Sequence, residues 1–267
     1  AASVSEPEGF VPEEWLSKLK ERRVNTSEVL YSFAAASQAL KDAKYENLST
    51  DAKESAGVAI GSSLAALTEI LAEDKTLREK GPRKINPYFI PKVLLNTPPG
   101  IISMQYGLQG PNLATSTACS AGAHAIGEAF RLIRNGDADI MVAGGTDAAV
   151  LPLTIAAFAR IKALTTKFND HPEEASRPFD KLRSGFVMAD GAAALILEEY
   201  DHARARNAQI YAEVLGYGLS GDAYHLTSPS NDGRGAIRCM KSALRDANLR
   251  PDDICYINAH ATSTPVG

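Results

Sequence analysis

LATSTACSAGAHAIGEAFRLIRNGDADIMVAGG, residues 113–145, reads as strand, helix, strand. LATSTA (113–118) is short and rich in β-branched residues, which suits a strand. SAGAHAIGEAFRLIRNG (120–136) is amphipathic at helical spacing, with Gly136 as its stop. DIMVAGG (139–145) is a brief apolar run of the kind found in strands buried on both faces.

The same alternation extends outward. From Val11 to about Lys44 the chain reads as helix, with Trp15, Leu16, Leu19 and Val24 at helical spacings and Asn25 and Thr26 as a cap between two helices. GVAIGSS (57–63) suits a buried strand turning tightly into the helix LAALTEILAEDKTLREK. KGPRKINP (80–87) is basic and broken by two prolines, so an exposed, non-helical loop is expected. Downstream come a helix around LTIAAFARIKAL, strands over 191–200 and 210–221, a helix from Gly235 to Ala247, and a last strand at DICYINA (253–259). Short apolar runs alternating with helices predict an α/β protein whose central sheet is covered on both faces. The alanines and glycines in its helices read either as close helix approach or as ordinary composition.

At 267 residues the chain is long enough for one large or two intimately packed domains. Its composition, 45% hydrophobic and 22% charged, is that of a globular protein and excludes a disordered or collagenous one. The net charge of −4 argues against a nucleic-acid binder held by phosphate neutralisation. Three cysteines without a CxxC pair predict no disulfide framework and a reducing compartment. No apolar run is long enough to span a membrane. The start, AASVSEPEGFVPEEW, has neither a signal-peptide pattern nor an initiating Met, and the chain stops at HATSTPVG. The sequence is therefore expected to be partial at both ends.

Two residues invite a chemical reading. Cys119 falls between a predicted strand and the start of a predicted helix, where free N–H groups and the helix dipole favour negative charge on sulfur. Small neighbours (Ala118, Ser120, Ala121, Gly122) leave room for a substrate carbonyl. On these residues alone a nucleophile and a buried structural cysteine both stand, the latter being the commoner fate of a free cysteine. His260 follows the predicted strand DICYINA, at the edge where open α/β sheets bind ligands, and is followed by the hydroxyl-rich ATSTPVG. It reads either as an imidazole that polarises a carbonyl or accepts a proton, or as a structural histidine. His124 is expected to pack, while Cys239 and Cys255 read as structural; His171, His202 and His225 have no partner visible in sequence. VAIGSS and VAGGTD are glycine turns that could cradle a phosphate, though neither completes a nucleotide fingerprint. There is no G-x-S-x-G elbow and no Cys/His metal spacing.

At TACSAGAHAIGEAFRLIRNGDADIMVAGGTDA the chain resembles the elongating β-ketoacyl-acyl-carrier-protein synthases of the thiolase-like superfamily. KGPRKINPYFIPK, GLQGPN, ASRPFDKLRSGFVMADGAAALILEEYDHA, IYAEVLGYGLSGDAYHLTSP and YINAHATSTPVG resemble the same family, in family order, from about Ser27 to the last residue. The wording of GYGLSGDAYH and YINAHATSTP is nearest to the mitochondrial branch. The resemblance implies a layered α-β-α-β-α fold, with residues 1–207 as an N-terminal half lacking its first strand and 208–267 as the start of a C-terminal half.

It also implies roles for particular residues. Cys119 matches the acyl-accepting nucleophile, its own N–H supplying half an oxyanion hole, and His260 matches the first of two histidines that promote malonyl decarboxylation. Thr262 and Thr264 match threonines that contact the pantetheine arm, and Leu64 and Phe158 match positions lining the acyl pocket. The implied activity is a decarboxylating Claisen condensation in fatty-acid elongation, in a mitochondrial homodimer that takes substrates from acyl-carrier protein and needs no metal or redox cofactor. A bacterial chain would instead be cytoplasmic. Arg83 and Lys84 lie on a loop where an acidic carrier could dock, or which is merely solvated. The family's lysine, second histidine and glycine-rich loop fall after the His260 motif and are absent from these residues. The 267 residues alone are thus expected to be unstable and inactive in condensation. Ala189 stands where glycine is common, and the double proline of NTPPG is expected to disturb a helix. The competing expectations are a non-catalytic partner subunit of the same fold and, behind it, a coenzyme A thiolase. Retention of both Cys119 and His260 favours the enzyme over a mere partner.

Overall fold

Residues 10–45, 48–64 and 66–266 are described by a computed structural model of the chain. They fall into two compact units. The larger runs to Gln209 and takes in the residues from Ala261 onward, and the smaller is Ile210–His260.

The larger unit opens with two helices, α1 (Pro12–Lys18) and α2 (Ser27–Asp42). The Thr26 hydroxyl caps α2 by accepting from the Val29 N–H at 3.4 Å, as the sequence predicts. Then follow α3 (Thr50–Glu54), β1 (Ala56–Gly61), α4 (Leu67–Lys80), α5 (Phe89–Val93), α6 (Thr97–Tyr106) and β2 (Asn112–Thr115). After β2 come α7 (Ala121–Arg134), β3 (Ile140–Asp147), α8 (Pro152–Arg160), β4 (Gly191–Glu198) and α9 (Tyr200–Ala205). The loop at 80–87 is exposed as expected and folds a single 3₁₀ turn over Pro82–Lys84.

Four strands form one sheet in the order β2-β1-β3-β4. β1 pairs in parallel with both β2 and β3, matching Ala59 to Leu113 and to Ala143, whereas β4 runs antiparallel to β3, matching Val142 to Ile196. Every residue of β1 is buried because both faces are covered. Val58, Ile60, Ile140 and Val142 point to one face and pack with Ala36 and Leu40 of α2 and Ile102 of α6. Their alternates Ala59, Met141 and Ala143 point to the other face and meet Ala125 and Ala129 of α7. The small residues of α7 therefore do serve close approach. A Cβ on Gly61 would stand 2.3 Å from the backbone of Ala121.

Two expectations about local structure fail. The double proline does not disturb its helix: Pro98 and Pro99 occupy the first turn of α6, where no intrahelical acceptor awaits their missing N–H groups. The strands expected over 210–221 and 253–259 do not form. The smaller unit holds one α-helix, α10 (Arg234–Ala247), and a 3₁₀ turn at Pro251–Asp253, the rest being largely exposed chain without regular structure. Strand-like composition makes a strand only where a neighbouring strand supplies the ladder, and among the described residues neither segment is paired.

Candidate active site

Cys119 lies on a single 3₁₀ turn, Ala118–Ser120, that joins β2 to α7. The turn is held by hydroxyl hydrogen bonds. Thr115 Oγ1 donates to the Ala121 carbonyl at 2.7 Å, Ser120 Oγ donates to the Thr117 carbonyl at 2.8 Å, and Thr117 Oγ1 lies 2.7 Å from His124 Nδ1. His124 is thus a packing partner of the turn. Ala118 takes φ 51°, a left-handed conformation costly for a residue with a Cβ.

The turn lifts Cys119 to an exposed position at the start of a 14-residue helix. It borders a cavity of about 370 Å³ together with Gly61, Gly122, Asp147 and Asp190. The cavity opens at the carboxyl ends of β1 and β3, where α/β sheets bind their ligands. An exposed cysteine sulfur beside an open space leaves room for an acyl group to be carried on it as a thioester.

The sequence missed the carboxyl groups around this cavity. Asp147 accepts from Ser63 N at 3.0 Å and from Ser63 Oγ at 2.9 Å, and so occupies the donors of the VAIGSS turn. A phosphate therefore has no cradle there. Asp190 accepts from the Val150 N–H at 2.9 Å. Away from this cavity, in the smaller chamber that Leu64 lines, Glu28 is buried, and that burial, with Asp147 and Asp190 nearby, pushes its carboxyl above the ordinary carboxylate range. The only hint in sequence was position: Asp147 and Asp190 both follow apolar or glycine-rich stretches at strand ends.

The other expected residues are dispersed. Leu64 lines a second, much smaller chamber of about 10 Å³ with Thr26, Leu94, Leu95 and Pro98. Phe158, on α8, packs edge-to-face on Phe186 with ring centroids 5.3 Å apart. Neither is among the described residues bordering the Cys119 cavity. Thr262 and Thr264 are hydroxyl partners 3.2 Å apart, and Arg183 Nε donates to the Thr264 carbonyl at 3.0 Å. Between them Ser263 is fully buried, its hydroxyl accepting from the Arg177 N–H at 3.1 Å. His260 closes the smaller unit, exposed and on chain without regular structure rather than after a strand. No group of three His, Cys, Asp or Glu among the described residues could hold a metal ion, and no described helix is long and apolar enough to cross a membrane.

The chain matches the family described as beta-ketoacyl synthase, N-terminal domain, over residues 2–203, and beta-ketoacyl synthase, C-terminal domain, over 211–267. It is 52% identical over 255 residues to 3-oxoacyl-[acyl-carrier-protein] synthase 2 of Rhizobium meliloti, covering 96% of this chain and 60% of that protein. It is 51% identical over 237 residues to the mitochondrial 3-oxoacyl-[acyl-carrier-protein] synthase of Arabidopsis thaliana, covering 89% of this chain and 51% of that one. Among solved structures it resembles a chain from the complex of a type II PKS acyl-carrier protein with its ketosynthase bound to the hexaketide. There the TM-score is 0.83 at 35% identity, over 92% of this chain and 61% of the other. The chain therefore spans between half and two thirds of the length of these relatives.

Proposed function

Because the chain belongs to the beta-ketoacyl synthase family, we propose that its protein condenses an acyl thioester with malonyl-acyl-carrier-protein, with loss of CO₂, in fatty-acid chain elongation. The observation that carries this reading is Cys119, exposed at the start of α7 beside an open cavity.

Cys119 sulfur, as thiolate, attacks the acyl thioester carbonyl, and the carrier's thiol leaves with a proton. The Cys119 N–H contributes to the oxyanion hole. Malonyl-carrier then loses CO₂, and the electron pair of the broken C–C bond becomes an enolate hydrogen-bonded by His260. The enolate carbon attacks the acyl-Cys119 carbonyl and expels the sulfur, leaving a β-ketoacyl-carrier two carbons longer. Thr262 and Thr264 hold the pantetheine arm, and Leu64 and Phe158 line the acyl pocket. No metal or redox cofactor is needed, because every step is carried by the sulfur and the malonyl carboxylate.

The same reading divides the chain at 207/208 and gives it acyl-carrier protein as partner, with Arg83 and Lys84 on an exposed basic turn as candidate contacts. It also makes the protein a homodimer, which accords with β2 as an edge strand exposing Leu113. A mitochondrial location rests on relatives such as that of Arabidopsis.

The test separates the two half-reactions in the full-length protein. His260→Ala should still take an acyl group onto Cys119 but lose condensation by about a hundredfold or more. Equal loss of both half-reactions, or of neither, would refute the role given to His260.

A further inference from the structure

The strap formed by residues 261–266 belongs to the larger unit and lies against the loop 177–185. Its side chains alternate. Thr262 and Thr264 are half-buried, with hydroxyls 3.2 Å apart, and Ser263 between them is fully buried. Two hydrogen bonds tie Ser263 to the loop. Its hydroxyl accepts from the Arg177 N–H at 3.1 Å, and its carbonyl accepts from the Gly185 N–H at 2.9 Å. Ser263 takes φ 65°, a left-handed conformation that a residue with a Cβ keeps only where its surroundings impose it.

Arg183 supplies the rest of that constraint. Its Nε donates to the Thr264 carbonyl and its Nη2 to the Pro265 carbonyl, both at 3.0 Å. Nη1 donates to the Asp180 carbonyl at 3.0 Å, which also accepts from the Arg183 N–H at 3.2 Å. A guanidinium is planar and rigid, so one side chain fixes two successive strap carbonyls against its own loop. That loop is anchored in turn. The Phe186 N–H donates to the Ala163 carbonyl at 2.9 Å, and the Thr165 N–H to the Phe186 carbonyl at 3.1 Å.

We propose that Arg183 is a positioning residue: by gripping the Thr264 and Pro265 carbonyls it holds the Thr262 and Thr264 hydroxyls ready for the pantetheine arm of the carrier. This rests on the reading of those threonines as contacts of the arm. Arg183 acts through the strap and takes no part in bond making. Without its fork the strap is tied through Ser263 alone, and binding must then pay to order the two hydroxyls.

The experiment measures both half-reactions of the full-length protein against carrier concentration. Arg183→Lys keeps the charge but loses the fork. Acyl and malonyl groups arrive on the same arm, so KM should rise about tenfold for both carrier thioesters, the cost of about one hydrogen bond, while kcat changes far less. Ser263→Ala, which takes the acceptor from the Arg177 N–H, should move KM the same way by less and serves if the first variant folds poorly. With Thr262→Val and Thr264→Val already in place, Arg183→Lys should raise KM no further. An unchanged KM with a lowered melting temperature would make Arg183 purely structural and overturn the proposal. A full rise persisting in the double-valine background would overturn the route through the hydroxyls. A double-valine protein that takes both carriers as well as the parent would instead overturn the reading of the threonines, and this proposal with it.

Discussion

Two stretches of this chain carry similar signals and end in different structures. Residues 112–134 and 253–264 each begin with a short strand-like run and lead through small and hydroxyl residues past a chemically suggestive side chain, Cys119 or His260. The first becomes strand, turn and helix; the second takes no regular structure after Asp253 and is exposed up to His260. The difference is the neighbourhood. β2 has β1 beside it, residue for residue, and α7 lies down on the sheet through Ala125 and Ala129. The run at 253–259 has no ladder partner among the described residues. An apolar run is thus only half of a strand, and the other half is supplied by whatever pairs with it.

The largest effect that would break this comparison is in amide exchange. Amides of β1 and β3 should be protected at least about a thousandfold more than those of 253–259, because buried ladders open only near the global unfolding free energy. Comparable protection in 253–259 would mean that this segment finds a partner strand after all. Next in size is Gly61→Ala. Its Cβ would stand 2.3 Å from backbone atoms of Ala121, which cannot swing aside as a side chain could. We expect a loss of about 3 kcal/mol, read as a lowered denaturation midpoint; a change below a few tenths would mean that α7 does not rest on β1 so closely.

The smallest effect concerns Glu28, which packs at the edge of the same region. Its carboxyl is raised in the folded state by burial and by Asp147 and Asp190. A raised carboxyl pKa favours folding below the unfolded value, near 4.5, and that advantage is lost as pH rises through the folded value. Glu28→Gln should therefore be more stable than the parent by about 1 kcal/mol at neutral pH and no more stable at acid pH. Thermal melts across that range measure it, and a variant less stable at neutral pH would contradict the assignment.

Much of the larger unit was legible in sequence because its signals are local. Thr26 caps as read, Gly136 ends α7 with φ 79°, and the apolar runs of β1, β3 and β4 became strands. The smaller unit was misread wherever strand formation depended on pairing. At the site, the strand–turn–helix context singled out Cys119, but Asp147 looked like the end of a glycine turn. Its value lies in donors from Ser62, Ser63 and Leu64, a long-range contact that no local pattern announces. Leu64 and Phe158 were nameable through resemblance alone, and packing then put them outside the described border of the Cys119 cavity.

The most direct measurement is the intact mass of the full-length protein after incubation with an acyl-carrier thioester. The account predicts one acyl group per chain, carried on Cys119 and absent from Cys119→Ala, with Cys239 and Cys255 unlabelled. A chain that takes up no acyl group, or one that is labelled as fully after Cys119→Ala, would contradict it.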